Sequence, residues 1–260
     1  MKKIAKIVLR ALLPLWLVLA VNRSLRKMVA LGHRLQFWLQ WHVASRPPGW
    51  FDHFIDLHWK WHASRDPSPW QRGILGLLAM KPGCRVLDLC CGGGFYAYHF
   101  YSSRASRVVA IDWDIDGIRH AQRNMKAPNI EYRQGNILTD MPREEFDNVC
   151  WDAGIEYFTQ EETRSVLAAI KQQLTPAGIL NGCGIGARTD GHSHIDHKHE
   201  FSSPQALAQL LREFFANVLV ISPPHAGNTR KTFHFFASDG TLPFNPQQES
   251  FLLLTAKASS

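Results

Sequence analysis

The sequence lacks the cysteine spacings that organise small disulfide-bonded or zinc-bound folds. Its cysteines are odd in number, and no two of them are spaced as C-x-x-C. This pattern indicates neither a disulfide framework nor a zinc ribbon. Unpaired thiols are typical of a reducing compartment, so the sequence predicts a cytoplasmic protein. The five cysteines are Cys84, Cys90, Cys91, Cys150 and Cys183.

Acidic residues are absent from the first 34 positions, which hold eight of the 29 Lys and Arg residues. All 22 Asp and Glu residues lie in the rest of the chain, which is therefore close to neutral. A near-neutral body has no surplus of cations with which to follow a phosphate backbone. The composition therefore predicts no nucleic-acid partner and assigns the net charge of +7 to the amino-terminal segment.

The amino-terminal segment also lacks an apolar run of the length that crosses a bilayer. Uncharged apolar residues fill 11–21, and counting back to residue 7 gives fifteen positions, whereas a spanning helix needs about twenty. Pro14 is predicted to kink a helix formed there. Three interpretations of residues 1–27 stay open: an anchor on an anionic membrane surface, a helix docked on its own domain, and a secretory signal cleaved after Val18-Leu19-Ala20. The first is favoured and predicts peripheral attachment at the inner face of a membrane.

Residues 28–68 are predicted to form a helical, aromatic-rich cap. Residues 28–45 place apolar side chains at helical spacing, and the sequence RPPG at 46–49 ends that pattern. Five Trp and Phe residues follow within 50–61, a density that is typical of a packed cap. The main domain is predicted over 69–240, with a tail over 241–260.

After residue 69 the sequence alternates between helical and strand patterns. Short apolar strands are predicted at 85–89, 108–111, 130–133, 148–151 and 179–182. Such alternation is typical of an α/β fold whose parallel sheet is covered on both faces. Ligands of these sheets bind at the carboxyl ends of the strands, where the strand order reverses. The end of the first predicted strand is therefore the expected place for a site.

That first strand leads into the sequence VLDLCCGGG at 86–94. Gly92 to Ala97 formally satisfies G-x-G-x-x-A, a dinucleotide fingerprint, and Asp112 lies 20 residues after Gly92, where ribose hydroxyls are held. Asp88 weighs against a dinucleotide, because its carboxylate would repel a pyrophosphate and attract a ligand that carries an ammonium and a sulfonium group. S-adenosylmethionine is such a ligand. An NAD-dependent oxidoreductase stays open as the alternative.

The stretch resembles the first motif of class I S-adenosylmethionine-dependent methyltransferases: an apolar pair, an acid, an apolar residue and G-x-G-x-G. Cys90 departs from this motif, because it stands at the first glycine. Further segments resemble the family's motifs in the family's order, namely VVAIDWD, IEYRQGNI, FDNVCWDAGIEYF, LTPAGIL, FFANVLVI and KTFHFFAS. The resemblance covers residues 82 to about 240. It implies a Rossmann-like, doubly wound, seven-stranded sheet that is mostly parallel and has an antiparallel last strand.

The resemblance also implies which residues hold the cofactor, whose product is S-adenosylhomocysteine. Asp112 would bind the two ribose hydroxyls, Trp113 would pack on the adenine, and Asn136 would accept a hydrogen bond from the adenine amino group. The full implied set is Asp88, Cys90, Gly92, Gly94, Asp112, Trp113, Asn136, Ile137 and Asp152.

Candidates for catalysis follow the fourth predicted strand. Methyl transfer from a sulfonium is an in-line displacement, which mainly needs the acceptor held close, aligned and dry. A base is required only where the acceptor starts protonated. Asp152, Glu156 and Tyr157 occupy this position, with cofactor contact or loop hydrogen bonding as their competing roles.

Imidazoles and carboxylates also crowd residues 190–200, DGHSHIDHKHE. His194 or His197 is predicted to serve as a base at the rim of the site, because an imidazole titrates near neutrality. Such a cluster could ligate a divalent cation. No second ligand set with recognised metal spacing accompanies it, so no metal is predicted.

No N/D-P-P-Y tetrad follows the fourth strand, where the sequence reads Trp151-Asp152-Ala153-Gly154. Family members that methylate amino groups of nucleic-acid bases resemble one another in that tetrad. Its absence and the neutral body predict a small-molecule, glycan or lipid-linked acceptor, methylated on oxygen or nitrogen. A catalytically inactive protein that keeps the fold for binding stays open, since fold does not fix function.

Overall fold

The computed structural model describes residues 14–43, 68–187, 196–222 and 231–243. The chain divides into two compact units, Met1–Arg65 and Asp66–Ser260. All residues of the candidate site belong to the second unit. The predicted aromatic-rich stretch at 50–61 lies outside the described residues, as does the carboxyl-terminal part of the predicted tail.

The described part of the first unit is one helix, α1 (Leu15–Trp38), which continues into a π-helical turn at Leu39–Val43. The sequence predicts a boundary at residue 27, but α1 runs across it. Gly32 is the weakest helix former in the interior of α1, and a single glycine costs only about 1 kcal/mol relative to alanine. Pro14 precedes the first residue of α1 instead of kinking it. None of the helices in the described ranges has the length and apolarity that spanning a bilayer requires.

The second unit alternates strands and helices. Its strands are β1 (Arg85–Leu89), β2 (Arg107–Asp112), β3 (Ile130–Gln134), β4 (Phe146–Asp152), β5 (Leu174–Ile185), β6 (Asn217–Ile221) and β7 (Thr232–Ser238). Its helices are α2 (Ser68–Leu78), α3 (Phe95–His99), α4 (Ile115–Asn124), α5 (Gln160–Gln173) and α6 (Pro204–Arg212). Two short 3₁₀ turns lie at Tyr101–Ser103 and Ile155–Tyr157.

The strands form one seven-stranded sheet in the order β3-β2-β1-β4-β5-β7-β6. β1 pairs in parallel with β2 on one side and with β4 on the other. β7 pairs antiparallel with both β5 and β6. The predicted Rossmann-like fold with an antiparallel last strand is therefore confirmed. The chain reverses direction across the sheet between β1 and β4, which is where ligands bind in such folds.

Apolar side chains cover both faces of the sheet. The larger core cluster contains Leu87 and Leu89 of β1, whereas Val86 belongs to a smaller cluster that also contains Tyr101. Successive side chains of a strand point to opposite faces. Asp88 therefore lies on the same face of β1 as Val86, the face that the turn at Tyr101–Ser103 covers.

The largest differences from the predicted elements lie at α3 and β5, and the bounds of β1 to β4 agree with those predicted to within two residues. The sequence predicts one helix over 96–103, but α3 ends at His99 and a separate 3₁₀ turn follows Phe100. The Phe100 ring packs so closely on α2 that a Cβ at Gly73 would lie 2.5 Å from it. This contact fixes the chain at Phe100. β5 begins at Leu174, five residues before the predicted start at 179, and its register with β4 shifts between Phe146 and Asn148.

Candidate active site

The predicted site residues converge at the carboxyl ends of β1, β2 and β4. β1 runs into the glycine-rich turn, β2 ends at Asp112, and β4 ends at Asp152. Because the three strands are parallel neighbours, their carboxyl ends share one edge of the sheet. Residues that are distant in sequence therefore form one polar site at the end of an apolar sheet.

The turn after β1 uses left-handed backbone conformations that glycine adopts without strain. Gly92 and Gly94 have φ values of 52° and 78°, and Gly94 is the N-cap of α3. A Cβ on Gly94 would lie 2.6 Å from the Tyr132 hydroxyl oxygen, so no larger residue fits there. The space around Gly92 is open. The turn therefore leaves room for a ligand to approach the backbone.

Cys90 stands where the family motif has its first glycine, and its backbone is also left-handed, with φ at 58°. Its side chain packs into the protein, since a Cβ on Gly154 would lie 2.8 Å from the Cys90 Cβ. Burial raises the pKa of this thiol far above its usual range, and the same holds for Cys91. Neither thiol is ionised near neutrality, so neither is an activated nucleophile.

Asp88 is a buried carboxyl group inside β1, with 3% of its surface exposed. Its Oδ2 atom has no hydrogen-bond partner among the described residues. Burial raises the pKa of Asp88 well above its usual range, and the nearby carboxylates of Asp152 and Asp112 raise it further. A buried, unsatisfied carboxyl group costs stability unless a ligand compensates it. Asp88 Oδ2 is therefore an acceptor that is open to a ligand group.

Asp152, the last residue of β4, presents a second carboxylate to the same place. Its Oδ2 accepts a 2.6 Å hydrogen bond from the hydroxyl of Tyr101, which is fully buried. Burial raises the pKa of Asp152 to about 6, although the Tyr101 hydrogen bond and the positive charge of Arg72 both act to lower it. The residue as a whole is partly buried.

Arg72 on α2 is a functional candidate that the sequence analysis missed. Its positive charge acts to lower the pKa values of Asp152 and Glu156, and also those of the Tyr96 hydroxyl and the Cys183 thiol. Its Nε atom is buried and lacks a partner within the described residues. The available signal was a lone cation in the otherwise uncharged helix SPWQRGILGLL. Arg72 stands at no fixed distance from the strand motifs, so those motifs did not point to it.

Asp112 is held in a fixed orientation at the end of β2. One carboxylate oxygen accepts a 2.8 Å hydrogen bond from the N–H of Gly92, and the other accepts one of the same length from the N–H of Asp114. A carboxylate oxygen has two lone pairs, so each can still accept a hydrogen bond from a ligand hydroxyl. Trp113 follows directly and is 77% exposed.

Asn136 and Ile137 lie beyond β3. Asn136 is exposed, and its side-chain oxygen accepts a 3.0 Å hydrogen bond from the N–H of Leu138, which fixes the amide in a tight turn. The Ile137 side chain is 4% exposed and belongs to the larger core cluster. Only its backbone is therefore placed to meet a ligand.

Glu156, in the 3₁₀ turn after β4, has no exposed surface. Its carboxylate accepts a hydrogen bond from the N–H of Ile185, and its carbonyl oxygen accepts one from the N–H of Lys198 at 2.8 Å. Burial raises the pKa of Glu156 to about 7, while backbone hydrogen bonds and Arg72 act to lower it. In this conformation Glu156 ties together the loops that follow β4 and β5 and offers no surface to an acceptor.

The predicted histidine bases have different outcomes. His194 lies outside the described residues. His197 is buried, and its Nδ1 atom lies 2.5 Å from a carboxylate oxygen of Glu200, which is also buried. The ring of Tyr157 stands edge-on to His197 with a centroid separation of 5.1 Å. Among the described residues, no group of three or more His, Cys, Asp or Glu side chains is arranged to hold a metal ion.

Comparison with known sequences finds a family model that matches part of the second unit and curated relatives that match part of the chain. Residues 86–178 match the family described as "Methyltransferase domain". An uncharacterized methyltransferase of Synechocystis sp. is 35% identical over 105 residues, which cover 40% of this chain and 48% of that protein. A Methanocaldococcus jannaschii protein, named provisionally as a ribosomal RNA large subunit methyltransferase, is 33% identical over 116 residues, or 41% of this chain and 28% of that one. The chain thus spans about half or less of these curated relatives.

A solved structure with this fold contains the reaction product of the cofactor. The N-methyltransferase NodS from Bradyrhizobium japonicum WM9, in complex with S-adenosylhomocysteine, has a TM-score of 0.56 against this chain. The match covers 69% of this chain and 91% of NodS at 18% sequence identity. At this level of identity the likeness shows that the two proteins share a fold.

Proposed function

We propose that this chain, which carries a class I S-adenosylmethionine-dependent methyltransferase domain, transfers the methyl group of that cofactor to a small-molecule, glycan or lipid-linked acceptor. The observation that carries the proposal is the meeting of Asp88, Asp112 and Asp152 around the glycine-rich turn. Carboxylates at this density favour a ligand with positive groups at one end and hydroxyls at the other.

The methionyl end of the cofactor fits the carboxyl groups of Asp88 and Asp152. The unsatisfied Oδ2 of Asp88 would accept a hydrogen bond from the cofactor's ammonium group, and Gly92 and Gly94 keep Cβ atoms away from it. NAD, the alternative ligand, would place a pyrophosphate beside these acids, which is electrostatically unfavourable. The positive charge of Arg72 would balance an anionic group at the same end of the ligand.

The adenosine end fits the loops that follow β2 and β3. The two oriented oxygens of Asp112 would accept hydrogen bonds from the ribose hydroxyls. The exposed ring of Trp113 offers a face for the adenine, and burying that ring on binding would favour the complex. Asn136 and the backbone of Ile137 would bond the adenine edge.

Asp152 is the best placed catalytic residue of those predicted. S-adenosylmethionine supplies a methyl group that is already activated by its positive sulfur, so the protein need only align the acceptor and exclude water. Where the acceptor is a hydroxyl or an ammonium group, Asp152 would take its proton, since a pKa of about 6 suits a base near neutrality. Tyr101 holds the carboxylate in position. Glu156 would hold together the loops that follow β4 and β5.

The proposed class of acceptor rests on the net charge of the chain beyond residue 34. Outside the first 34 residues the chain is near neutral, which favours a small-molecule, glycan or lipid-linked acceptor over RNA. The Methanocaldococcus jannaschii relative makes ribosomal RNA the acceptor to test against. All five cysteines are free, which supports a reducing cytoplasm as the place of action.

An inactive binding protein with this fold is the second candidate, and Cys90 is the residue that favours it. A side chain now stands at the first motif glycine, in a left-handed conformation that costs about 1–3 kcal/mol in a non-glycine residue. Cofactor binding without transfer to any acceptor would support this candidate.

The test is methyl transfer by the full chain from cofactor labelled in its methyl group. Small-molecule, lipid and RNA fractions of a cell extract are incubated separately, and label in the fraction is compared with release of S-adenosylhomocysteine. Label is expected in the small-molecule or lipid fraction and not in RNA. Asp88→Asn is expected to weaken cofactor binding by at least about 10-fold, whereas the exposed Lys81→Gln serves as a matched control. Label confined to RNA would contradict the proposed acceptor class.

A further inference from the structure

α1 carries more uncompensated positive charge than the other described helices. Residues 14–43 contain four Lys and Arg residues and no Asp or Glu. The cations are Arg23, Arg26, Lys27 and Arg34. Without acids to form i,i+4 ion pairs, these cations are not compensated within the helix. A partner of opposite charge is therefore favoured.

The cations of α1 all fall on one side of the helix. At about 100° per residue, the four positions lie within an arc of roughly 100° around the helix axis. The exposed apolar side chains from residue 21 to residue 38 all fall outside that arc, within about 180° of the remaining circumference. They are Val21, Leu25, Met28, Val29, Leu31, Leu35 and Trp38. The helix is therefore amphipathic, with a cationic face and an apolar face.

These apolar side chains are exposed in the structure. Met28 and Leu31 each expose more than 65% of their surface, and Trp38 exposes 51%. Isolated apolar residues on a surface are ordinary, but a contiguous apolar helix face marks an interaction site. A helix with Lys and Arg on one face and Leu, Val and Trp on the other has the composition of an element that lies in a bilayer interface.

We propose that α1 lies flat on the surface of an anionic lipid bilayer. Its apolar face would enter the boundary between headgroups and acyl chains, and its cations would meet the anionic headgroups. Cations interrupt α1 at intervals, so the helix fits a position parallel to the surface. The sequence predicts an anchor in residues 1–27, of which 1–13 lie outside the described residues. The present proposal rests on the region between Val21 and Trp38.

The charge content of α1 sets the size of the expected effect. Each cation near an anionic surface strengthens partitioning roughly five-fold at physiological salt. Removing four cations is thus expected to weaken binding by roughly 600-fold. Raising the salt concentration should weaken binding of the unmodified chain because the Debye length shortens.

The test is sedimentation of the full chain with two kinds of vesicle, phosphatidylcholine alone and phosphatidylcholine with 30% phosphatidylglycerol. Binding is expected only to the anionic vesicles. It should be lost in the variant Arg23→Gln, Arg26→Gln, Lys27→Gln, Arg34→Gln. The matched control removes four exposed cations from the second unit, Lys81, Arg119, Arg123 and Lys126, and should bind as the unmodified chain does.

A second variant tests the apolar face. Replacing Val21, Leu25 and Met28 by Ser keeps every charge and is expected to weaken vesicle binding at least 10-fold. Equal binding to neutral vesicles, no loss in the four-cation variant, or equal loss in its control would overturn the proposal. So would self-association through α1, seen as a mass that rises with concentration and falls in the Ser variant without vesicle binding. Cofactor titration of the same variants reports on the proposed function separately.

Discussion

At the scale of single residues, the site is defined by how strongly its acids are desolvated. Asp88, Asp152 and Glu156 all have raised pKa values, and burial is the main cause for each. Clustered acids with raised pKa values are typical of functional sites. They also make binding of a cation depend on pH, because the protonated forms do not attract it.

The hydrogen bond from Tyr101 to Asp152 sets one of these pKa values. It stabilises the ionised carboxylate, so Tyr101→Phe is expected to raise the pKa of Asp152 above about 6. Calorimetric titration of S-adenosylmethionine between pH 5.5 and 8.5 should then show affinity failing at a higher pH than in the unmodified protein. S-adenosylhomocysteine, which lacks the sulfonium charge, should show a weaker dependence.

Tyr132→Phe is the control for this experiment. The Tyr132 hydroxyl donates a 2.8 Å hydrogen bond to the carbonyl oxygen of Met125 and contacts no carboxylate. The Tyr132→Phe variant should therefore bind S-adenosylmethionine with the same pH dependence as the unmodified protein. If Tyr101→Phe shows the same pH dependence as the unmodified protein, Asp152 does not face the cofactor's charge.

Glu156 is expected to make folding stability depend on pH. Its pKa is about 7 in the folded chain and near 4.5 when unfolded, so its favourable contribution is complete below pH 4.5 and is lost as the pH rises to 7. Glu156→Gln keeps an acceptor for the Ile185 N–H and removes this loss. The measurement is the free energy of unfolding in urea at pH 5 and at pH 8. Between these pH values, the stability of the variant relative to the unmodified chain should rise by on the order of 1–3 kcal/mol.

Glu162→Gln is expected to have the opposite effect on folding stability at high pH. Glu162 accepts hydrogen bonds from Lys198 and from the N–H of Thr159, and these interactions lower its pKa. Its replacement should cost stability at pH 8. A Glu156→Gln effect that is the same at both pH values would show that Glu156 is not a buried acid with a raised pKa.

At the scale of elements, the turn from β1 into α3 depends on one close contact as well as on backbone freedom. Gly94 and Gly83 have nearly equal φ values of 78° and 79°, but only Gly94 faces a neighbour, the Tyr132 ring. Gly94→Ala should therefore cost about 1–3 kcal/mol more than Gly83→Ala in urea unfolding and should also abolish cofactor binding.

The comparison of these two glycines separates strain from steric overlap. Because both substitutions carry the same strain at positive φ, their difference reports the overlap with Tyr132 alone. In a Tyr132→Ala background, Gly94→Ala should cost less stability than it does in the unmodified chain. Equal costs for the two alanine variants would contradict the close approach of Tyr132 to the turn.

The elements that could be predicted from the sequence are those with local signals. β1 and its glycine turn are recognisable because an apolar run, an acid and glycines follow one another along the chain. The division of 96–103 into α3 and a 3₁₀ turn was missed, because it depends on the Phe100 ring packing against α2. The start of β5 was missed because its first residues pair with Phe146 across a register shift.

At the scale of the whole molecule, the strand ends explain which site residues were predictable. Asp88, Gly92 and Asp112 lie at fixed offsets from strands, so the order of the motifs alone predicts that they lie together. Arg72 and Tyr101 come to the site through tertiary packing of α2 and of the turn after α3. Tyr101 hydrogen-bonds an acid that lies 51 residues away in sequence. No local pattern encodes such a contact.

The two units of the chain carry different chemistry. The unit Asp66–Ser260 holds the carboxylates and glycines of the candidate site, whereas the described helix of Met1–Arg65 holds exposed cations and apolar side chains. The net positive charge of the protein therefore says nothing about its acceptor. It belongs to the unit that we propose to meet a lipid surface.

The most direct measurement is calorimetric titration of S-adenosylmethionine, and separately of NAD, into the full chain and its Asp112→Ala variant. Because Asp112 orients both of its oxygens through the N–H groups of Gly92 and Asp114, its loss removes the ribose contact. Micromolar binding of S-adenosylmethionine that Asp112→Ala abolishes, with no heat from NAD, is the predicted result. Binding of NAD, or S-adenosylmethionine binding that survives Asp112→Ala, would contradict the placement of the cofactor at the ends of β1, β2 and β4.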